Sequence, residues 1–235
     1  IYNITYAEAS QWAEPQQAAA GIQLDHRFIY PLVLTSPGKV HIIYNGDGNK
    51  LCWVSKIDGT WNLPVIIASD VEYQGFCFFD AKLDSNNNVH MVYRSIFGSL
   101  NYATNSSGSW IIESIELTGG AESASFATGS DGSIHLVFVR LDKLYYLKRE
   151  VSGIWTTPLQ IPGSNIASAS IDLDSSEYAH VVFDTHWTGT GYEAYYMNNG
   201  SGSWSVPQVI GPGPDGKYSE EFPIVDVGRP NEAIN

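Results

Sequence analysis

The sequence predicts an all-β fold: a five-bladed β-propeller of four-stranded blades, forming one domain over residues 1–235. Three observations lead there. Tryptophans recur as Trp12, Trp61, Trp110, Trp155 and Trp204, at separations of 49, 49, 45 and 49 residues, each in a turn-rich segment such as NSSGSW or GSGSW. Four of them are preceded by a matched apolar element, KVHIIYN at 39–45, NVHMVYR at 88–94, SIHLVFV at 133–139 and YAHVVFD at 178–184, which sets His41, His90, His135 and His180 in register. The third observation is composition: 22 Gly, 11 Pro, 13% aromatic and only 16% charged residues describe a turn-dense β protein rather than a disordered chain. A repeat of 45–49 residues carrying four strand signals has the length of a propeller blade and is too long for one rung of a β-solenoid.

Within a unit the elements follow in order. Strand A is an apolar run, FIYPLVL at 28–34, FCFFDAKL at 76–83, SASFATG at 123–129, ASASIDL at 167–173 and FPIVDV at 222–227. A turn such as DSNNN or SDGS leads into strand B, which carries the histidine. Strand C holds an aromatic about eight residues before each tryptophan, at Tyr6, Trp53, Tyr102, Tyr146 and Tyr196. Strand D begins near the tryptophan, and Pro15, Pro64, Pro158 and Pro207 follow four of the five tryptophans at one offset. The chain opens with strands C and D alone, ITYAEA and WAEPQQ, and ends with strands A and B, FPIVDV and NEAIN. Pairing these two halves as a composite blade closes the ring at five and covers strand edges that would otherwise be open.

A His-apolar-apolar-aromatic strand followed by a Gly-x-Trp turn resembles the BNR/Asp-box-like repeats of sialidase-related and lectin-type propellers. The pattern Ser-x-Asp-x-Gly-x-x-Trp is approached most nearly at Ser55–Trp61, one residue short before the tryptophan. Five blades at this length also resemble the tachylectin type of sugar-binding propeller in architecture, and the arabinanase type of glycosidase, which carries acidic residues at the mouth of the central channel. The resemblance implies a sugar ligand and motivates a search for carboxylates. Architecture alone assigns neither.

In a propeller the D-to-A and B-to-C connections share one face, where ligands usually bind. That face is expected to carry Asp25, His26, Arg27, Glu72, Tyr73, Glu122, Tyr218, Glu220 and Glu221, together with Phe97 and the long B-to-C stretch His186, Trp187 and Tyr192. Aromatic rings stack on the apolar faces of sugars while nearby polar groups meet the hydroxyls, so Asp25, His26, Arg27, Tyr73, Phe97, Glu122, His186, Trp187, Tyr192 and Tyr218 are the candidate ligand residues. Were the chain a glycoside hydrolase, Asp25, Glu122, Glu220 and Glu221 would be the catalytic candidates, because that chemistry needs two carboxyls roughly 5–5.5 or 6.5–9.5 Å apart. A full set of arginines for a sialidase is missing: Arg27, Arg94, Arg140, Arg149 and Arg229 are all there are, and Arg149 falls on an expected outer strand. The four repeated histidines read as a structural hydrogen bond from strand B to its neighbour, since metal ligands have no reason to follow fold symmetry. Neither Asp172-Leu173-Asp174 nor the pair Asp80 and Asp84 has the glycine of a calcium loop, so no metal or cofactor is expected.

A formal net charge of −13 disfavours nucleic acid and anionic membranes as partners. No apolar run approaches the roughly 20 residues that span a bilayer, and Ile1 begins without signal-peptide features, which is the expectation for a soluble, mature form. Sequons at Asn3, Asn105 and Asn199 lean towards a secreted or cell-surface glycoprotein. Cys52 and Cys77, in LCWV and FCFF, suit buried thiols as well as they suit a disulfide. The readings that follow are an extracellular, lectin-like, non-catalytic carbohydrate-binding module; a five-bladed glycoside hydrolase; or a scaffold that binds another surface protein.

Overall fold

The computed structural model describes residues 32–72, 79–115, 120–186 and 191–212. Within them every regular element is a strand, and the strands form four antiparallel sheets in strict chain order. Sheet one contains β1 (Leu32–Ser36), β2 (Lys39–Gly46), β3 (Lys50–Ile57), β4 (Thr60–Trp61) and β5 (Val65–Ala68), with β4 and β5 both pairing β3 as two pieces of one outer strand. Sheet two is β6 (Phe79–Leu83), β7 (Val89–Arg94), β8 (Leu100–Thr104) and β9 (Ile111–Ile115). Sheet three is β10 (Ser123–Thr128), β11 (Ile134–Arg140), β12 (Lys143–Arg149) and β13 (Leu159–Gln160). Sheet four is β14 (Ile166–Leu173), β15 (Ala179–Thr185), β16 (Glu193–Asn198) and β17 (Gln208–Pro212). These are the A-to-D strands read from the repeats, and the meander is what short turns between consecutive strands dictate. The composite blade expected from the two chain ends lies outside the described residues. Among those described, no helix is long and apolar enough to cross a membrane.

The first strands of consecutive sheets pack against one another, β1 on β6, β6 on β10 and β10 on β14, so they form the inner side of the arrangement. Three of the four buried clusters belong to seams between two sheets rather than to one central core, and the fourth, Tyr44, Cys52 and Val54, lies on sheet one. One seam joins Ile43, Leu51 and Val71 to Ala81, Met91 and Tyr93; the next joins Val92, Leu100 and Tyr102 to Phe126, Leu136 and Leu147; a third joins Val137, Val139 and Leu144 to Ile171, Val181, Phe183 and Met197. Strand alternation explains this, because successive side chains of a strand enter the seams on either side of its sheet. A fully buried side chain such as Leu136 or Phe138 contributes about 1.5–3 kcal/mol through area removed from water. Cys52 is buried as a free thiol, and burial pushes its pKa up; Cys77 lies outside the described residues.

The repeated histidines do the structural job expected of them. Tyr102 OH lies 2.5 Å from His90 Nδ1, Tyr146 OH 2.8 Å from His135 Nδ1 and Tyr196 OH 2.7 Å from His180 Nδ1, while in sheet one Trp53 Nε1 donates to His41 Nδ1 at 3.2 Å. The other ring nitrogen meets Asp84 in sheet two, Ser133 in sheet three and Asp174 in sheet four. Strand B is thus tied to strand C and to the A-to-B turn. Burial lowers the pKa of His41, His90 and His135, the last to about 4, which keeps Nδ1 free to accept the indole N–H in sheet one and the phenol in sheets two and three.

The aspartates considered for calcium are engaged in the same way. Asp84 and Asp174 each accept two backbone amides of their turns, and Asp80 on β6 accepts Ser125 Oγ and Phe126 N from β10. No cluster of three or more potential metal ligands occurs among the described residues. The sequon asparagines Asn105 and Asn199 occupy equivalent C-to-D turns, where their side-chain oxygens accept Val89 N and Ala179 N at 2.7 Å. Folding alone therefore accounts for their recurrence.

Candidate functional site

The D strand of one sheet meets the C strand of the sheet before it through a ring contact that repeats. Trp110 stands edge-on to Trp53 at 5.7 Å, Trp155 to Tyr102 at 5.7 Å and Trp204 to Tyr146 at 5.2 Å. The tryptophan period is therefore a seam device. Its energetics are those of T-shaped aromatic pairs, about 0.5–1.5 kcal/mol beyond the area buried.

Among the described residues, the seam between sheets two and three adds what the other two seams lack. Arg149, at the end of β12, reaches back to β9 and donates from Nε to Glu113 Oε2 at 2.9 Å and from Nη2 to Glu113 Oε1 at 2.6 Å. Trp155 Nε1 donates to the same Oε2 at 3.2 Å. The guanidinium lies over the Tyr102 ring at 5.2 Å, and Gly153 closes on it so tightly that a Cβ there would sit 3.2 Å from Nη2. Gly153 has φ +89°, which a larger residue would also resist.

Arg149 holds the Glu113 carboxyl below the usual carboxylate range; Glu113 in turn raises the guanidinium's pKa, and burial pushes the Tyr102 phenol up to about 12. The pair is still open to solvent, with side chains 18% and 28% exposed. Among the described residues Nη1 of Arg149 has no hydrogen bond, so a donor edge stays available beside the ion pair. Glu113 faces the seam with Ile111, two residues earlier on the same strand face and 46% exposed.

Sequence reading left this site out by setting Arg149 aside as an outer-strand residue. In the structure β12 is the third strand of its sheet, and its end faces the seam. Two signals were present. At the offset where Pro15, Pro64, Pro158 and Pro207 follow their tryptophans, the remaining unit has Glu113; and Tyr146 precedes Trp155 by nine residues where Trp53, Tyr102 and Tyr196 precede theirs by eight. The added residue falls in the segment that carries Arg149.

Of the residues expected on the ligand face, Asp25, His26, Arg27, Tyr73, Trp187, Tyr218, Glu220 and Glu221 lie outside the described residues. Of the rest, Glu122 and His186 both reach the β11–β12 turn. Phe97 is 81% exposed on the β7–β8 hairpin, whose Gly98 carbonyl abuts Gly120 in the next connector. Glu122, in that connector, accepts Leu141 N at 3.2 Å on the β11–β12 turn. His186 is fastened to Asn165 by two hydrogen bonds and places Nε2 3.3 Å from Asp142 Oδ1 on the same turn. Tyr192 is half-buried on the far side of the long hairpin. Also on this face, Glu72 pairs with Arg94 at 2.9 Å, and Asp184 accepts both Ser168 N and Ser168 Oγ, burial raising its pKa.

No protein-family model matches the sequence, and no curated protein resembles it significantly. Solved structures do. AofleA from Arthrobotrys oligospora superposes with a TM-score of 0.56 at 17% identity, covering 75% of this chain and 54% of its own. The Aleuria aurantia lectin, a six-bladed β-propeller that recognises fucose, gives 0.51 at 19% identity over 77% of this chain and 59% of its own. An exo-β-1,3-galactanase from Phanerochaete chrysosporium gives 0.51 at 11% identity over 83% and 54%. This chain spans little more than half the length of these structures. At such identities the likeness establishes the fold, a β-propeller.

Proposed function

We propose that this chain is an extracellular carbohydrate-binding propeller without catalytic turnover, and that it holds sugar at the seam between sheets two and three. The observation that carries the reading is the Glu113–Arg149 pair, set between Tyr102 and Trp155 and partly open to solvent. A guanidinium edge, a carboxylate and aromatic rings side by side at one seam are the groups that sugar hydroxyls and C–H faces require. Resemblance to lectin propellers, one of which binds fucose, supports it. The Phe97, Glu122, His186 and Tyr192 surface on the other face, with Trp187, is an accessory contact for a longer glycan in this reading. Glu122 caps the Leu141 turn, which is a structural use of the carboxylate that the hydrolase alternative nominates.

The same reading keeps the ring at five blades and the repeats in the BNR/Asp-box-like group. Five tryptophans and five strand-C aromatics recur in the sequence, which supports that count. A glycan array probed with the purified chain tests the function. Binding to a defined sugar class, abolished in Arg149→Ala, is expected; a blank array with folded protein would move the assignment to a protein-binding scaffold.

A further inference from the structure

Resting on the carbohydrate reading above, we infer that the chain has one such site rather than one per blade, and that the site takes a neutral saccharide through adjacent hydroxyls rather than an acidic sugar through a carboxylate.

The single valence follows from where the repeat breaks. The fork needs an acceptor three residues after the D-strand tryptophan, and four of the five units place proline there: Pro15, Pro64, Pro158 and Pro207. Proline offers no side-chain acceptor. The consequence is visible at the neighbouring seam, where Trp110 Nε1 is buried without a partner while Trp155 Nε1 has Glu113. The arginine is equally particular to its unit, because it comes from the one C-to-D segment with a residue more than its counterparts. A symmetric scaffold thus presents an asymmetric site.

The ligand class follows from counting donors and acceptors. Oε2 of Glu113 already accepts two hydrogen bonds, from Arg149 Nε and Trp155 Nε1, while Oε1 accepts one, from Arg149 Nη2. A carboxylate oxygen has two lone pairs in plane, so one position on Oε1 stays open. Arg149 still has the donors of Nη1. The second N–H of Nη2 is a further donor, and it lies beside that open acceptor position, 2.6 Å separating Nη2 from Oε1. One hydroxyl can accept from the arginine while its neighbour donates to the glutamate, which is the pattern of a vicinal diol. A ligand carboxylate could use only the donors, would stand against Glu113, and would meet an arginine whose charge is already matched. The net charge of −13 adds to that repulsion.

Isothermal titration with a panel of neutral methyl pyranosides, with glucuronic and N-acetylneuraminic acids as competitors, tests this. A stoichiometry near one is expected, with no competition from the acids. Affinity should fall at least about tenfold in Glu113→Pro, which restores the proline of the other units, and in Glu113→Gln, which preserves the strand if proline disturbs it. Several sites per chain, preference for the acids, or unchanged affinity in a folded Glu113→Gln would overturn the inference while leaving carbohydrate binding intact. No binding of any glycan by the folded wild type would instead remove the reading on which it rests.

Discussion

The seam between sheets one and two and the seam between sheets two and three share one ring contact, 5.7 Å in both, and a strand-C ring bonded to a strand-B histidine, and differ in what meets the strand-D indole. In the first, Trp53 gives its N–H to His41, Trp110 leaves its own buried and unpaired, and Pro64 stands where an acceptor would be needed. In the second, one carboxylate gathers the indole and the guanidinium. An unmet buried donor costs on the order of 1–3 kcal/mol, so the first seam tolerates a loss that the second avoids. Repetition marks what every blade needs to stand against its neighbour. The break in repetition marks what one blade does alone.

The comparison sharpens first on the shared part. Trp155→Ala and Trp110→Ala should each destabilise the fold by about 3 kcal/mol, read as a lower urea midpoint, with Trp155→Ala the costlier because it also strips a donor from Glu113. Equal losses would mean that the polar complement adds nothing to stability. Next, Arg149→Met should cost roughly 1–2 kcal/mol, since it leaves Glu113 with one partner and uncovers the Tyr102 face.

A pH titration bears on the framework common to all the seams. The folded-state pKa of His135 is lowered to about 4 from 6.5, so between those values the unfolded chain binds the proton that the folded one refuses. Stability should be fully present above about pH 6.5 and decline as pH falls towards 4, as His135 and, in the same direction, His90 and His41 resist protonation. His135→Gln should flatten that slope; an unaltered slope would assign it to other groups. Smallest of all is Phe97→Ala, at 81% exposure expected to shift stability by no more than about 0.5 kcal/mol, so any loss of glycan binding in it reports contact with the ligand and not misfolding.

Much of the architecture was legible because it is periodic. His90 and Tyr102, or His180 and Tyr196, lie on neighbouring strands 12 and 16 residues apart, and their partnership repeats with the unit, so one chain displays it several times. Phe97, Glu122 and His186 were assigned to inter-strand connections by strand count alone, and in the structure Phe97 lies on the β7–β8 hairpin while Glu122 and His186 each reach the β11–β12 turn. Glu113 and Arg149 behave differently. They are 36 residues apart, belong to different sheets, and occur together once.

Local preference and hydrophobic alternation act over a few residues, so the sequence by itself determined the strands, their order in each blade, the tying of strand B to strand C and the role of the recurring tryptophans. Which charged side chains face one another across a seam depends on how two twisted sheets are set edge to edge, a non-local outcome of packing. The tertiary structure alone decided that the glutamate in place of proline and the arginine from the lengthened segment would close on each other, with an aromatic ring beneath and a solvent-facing edge left open.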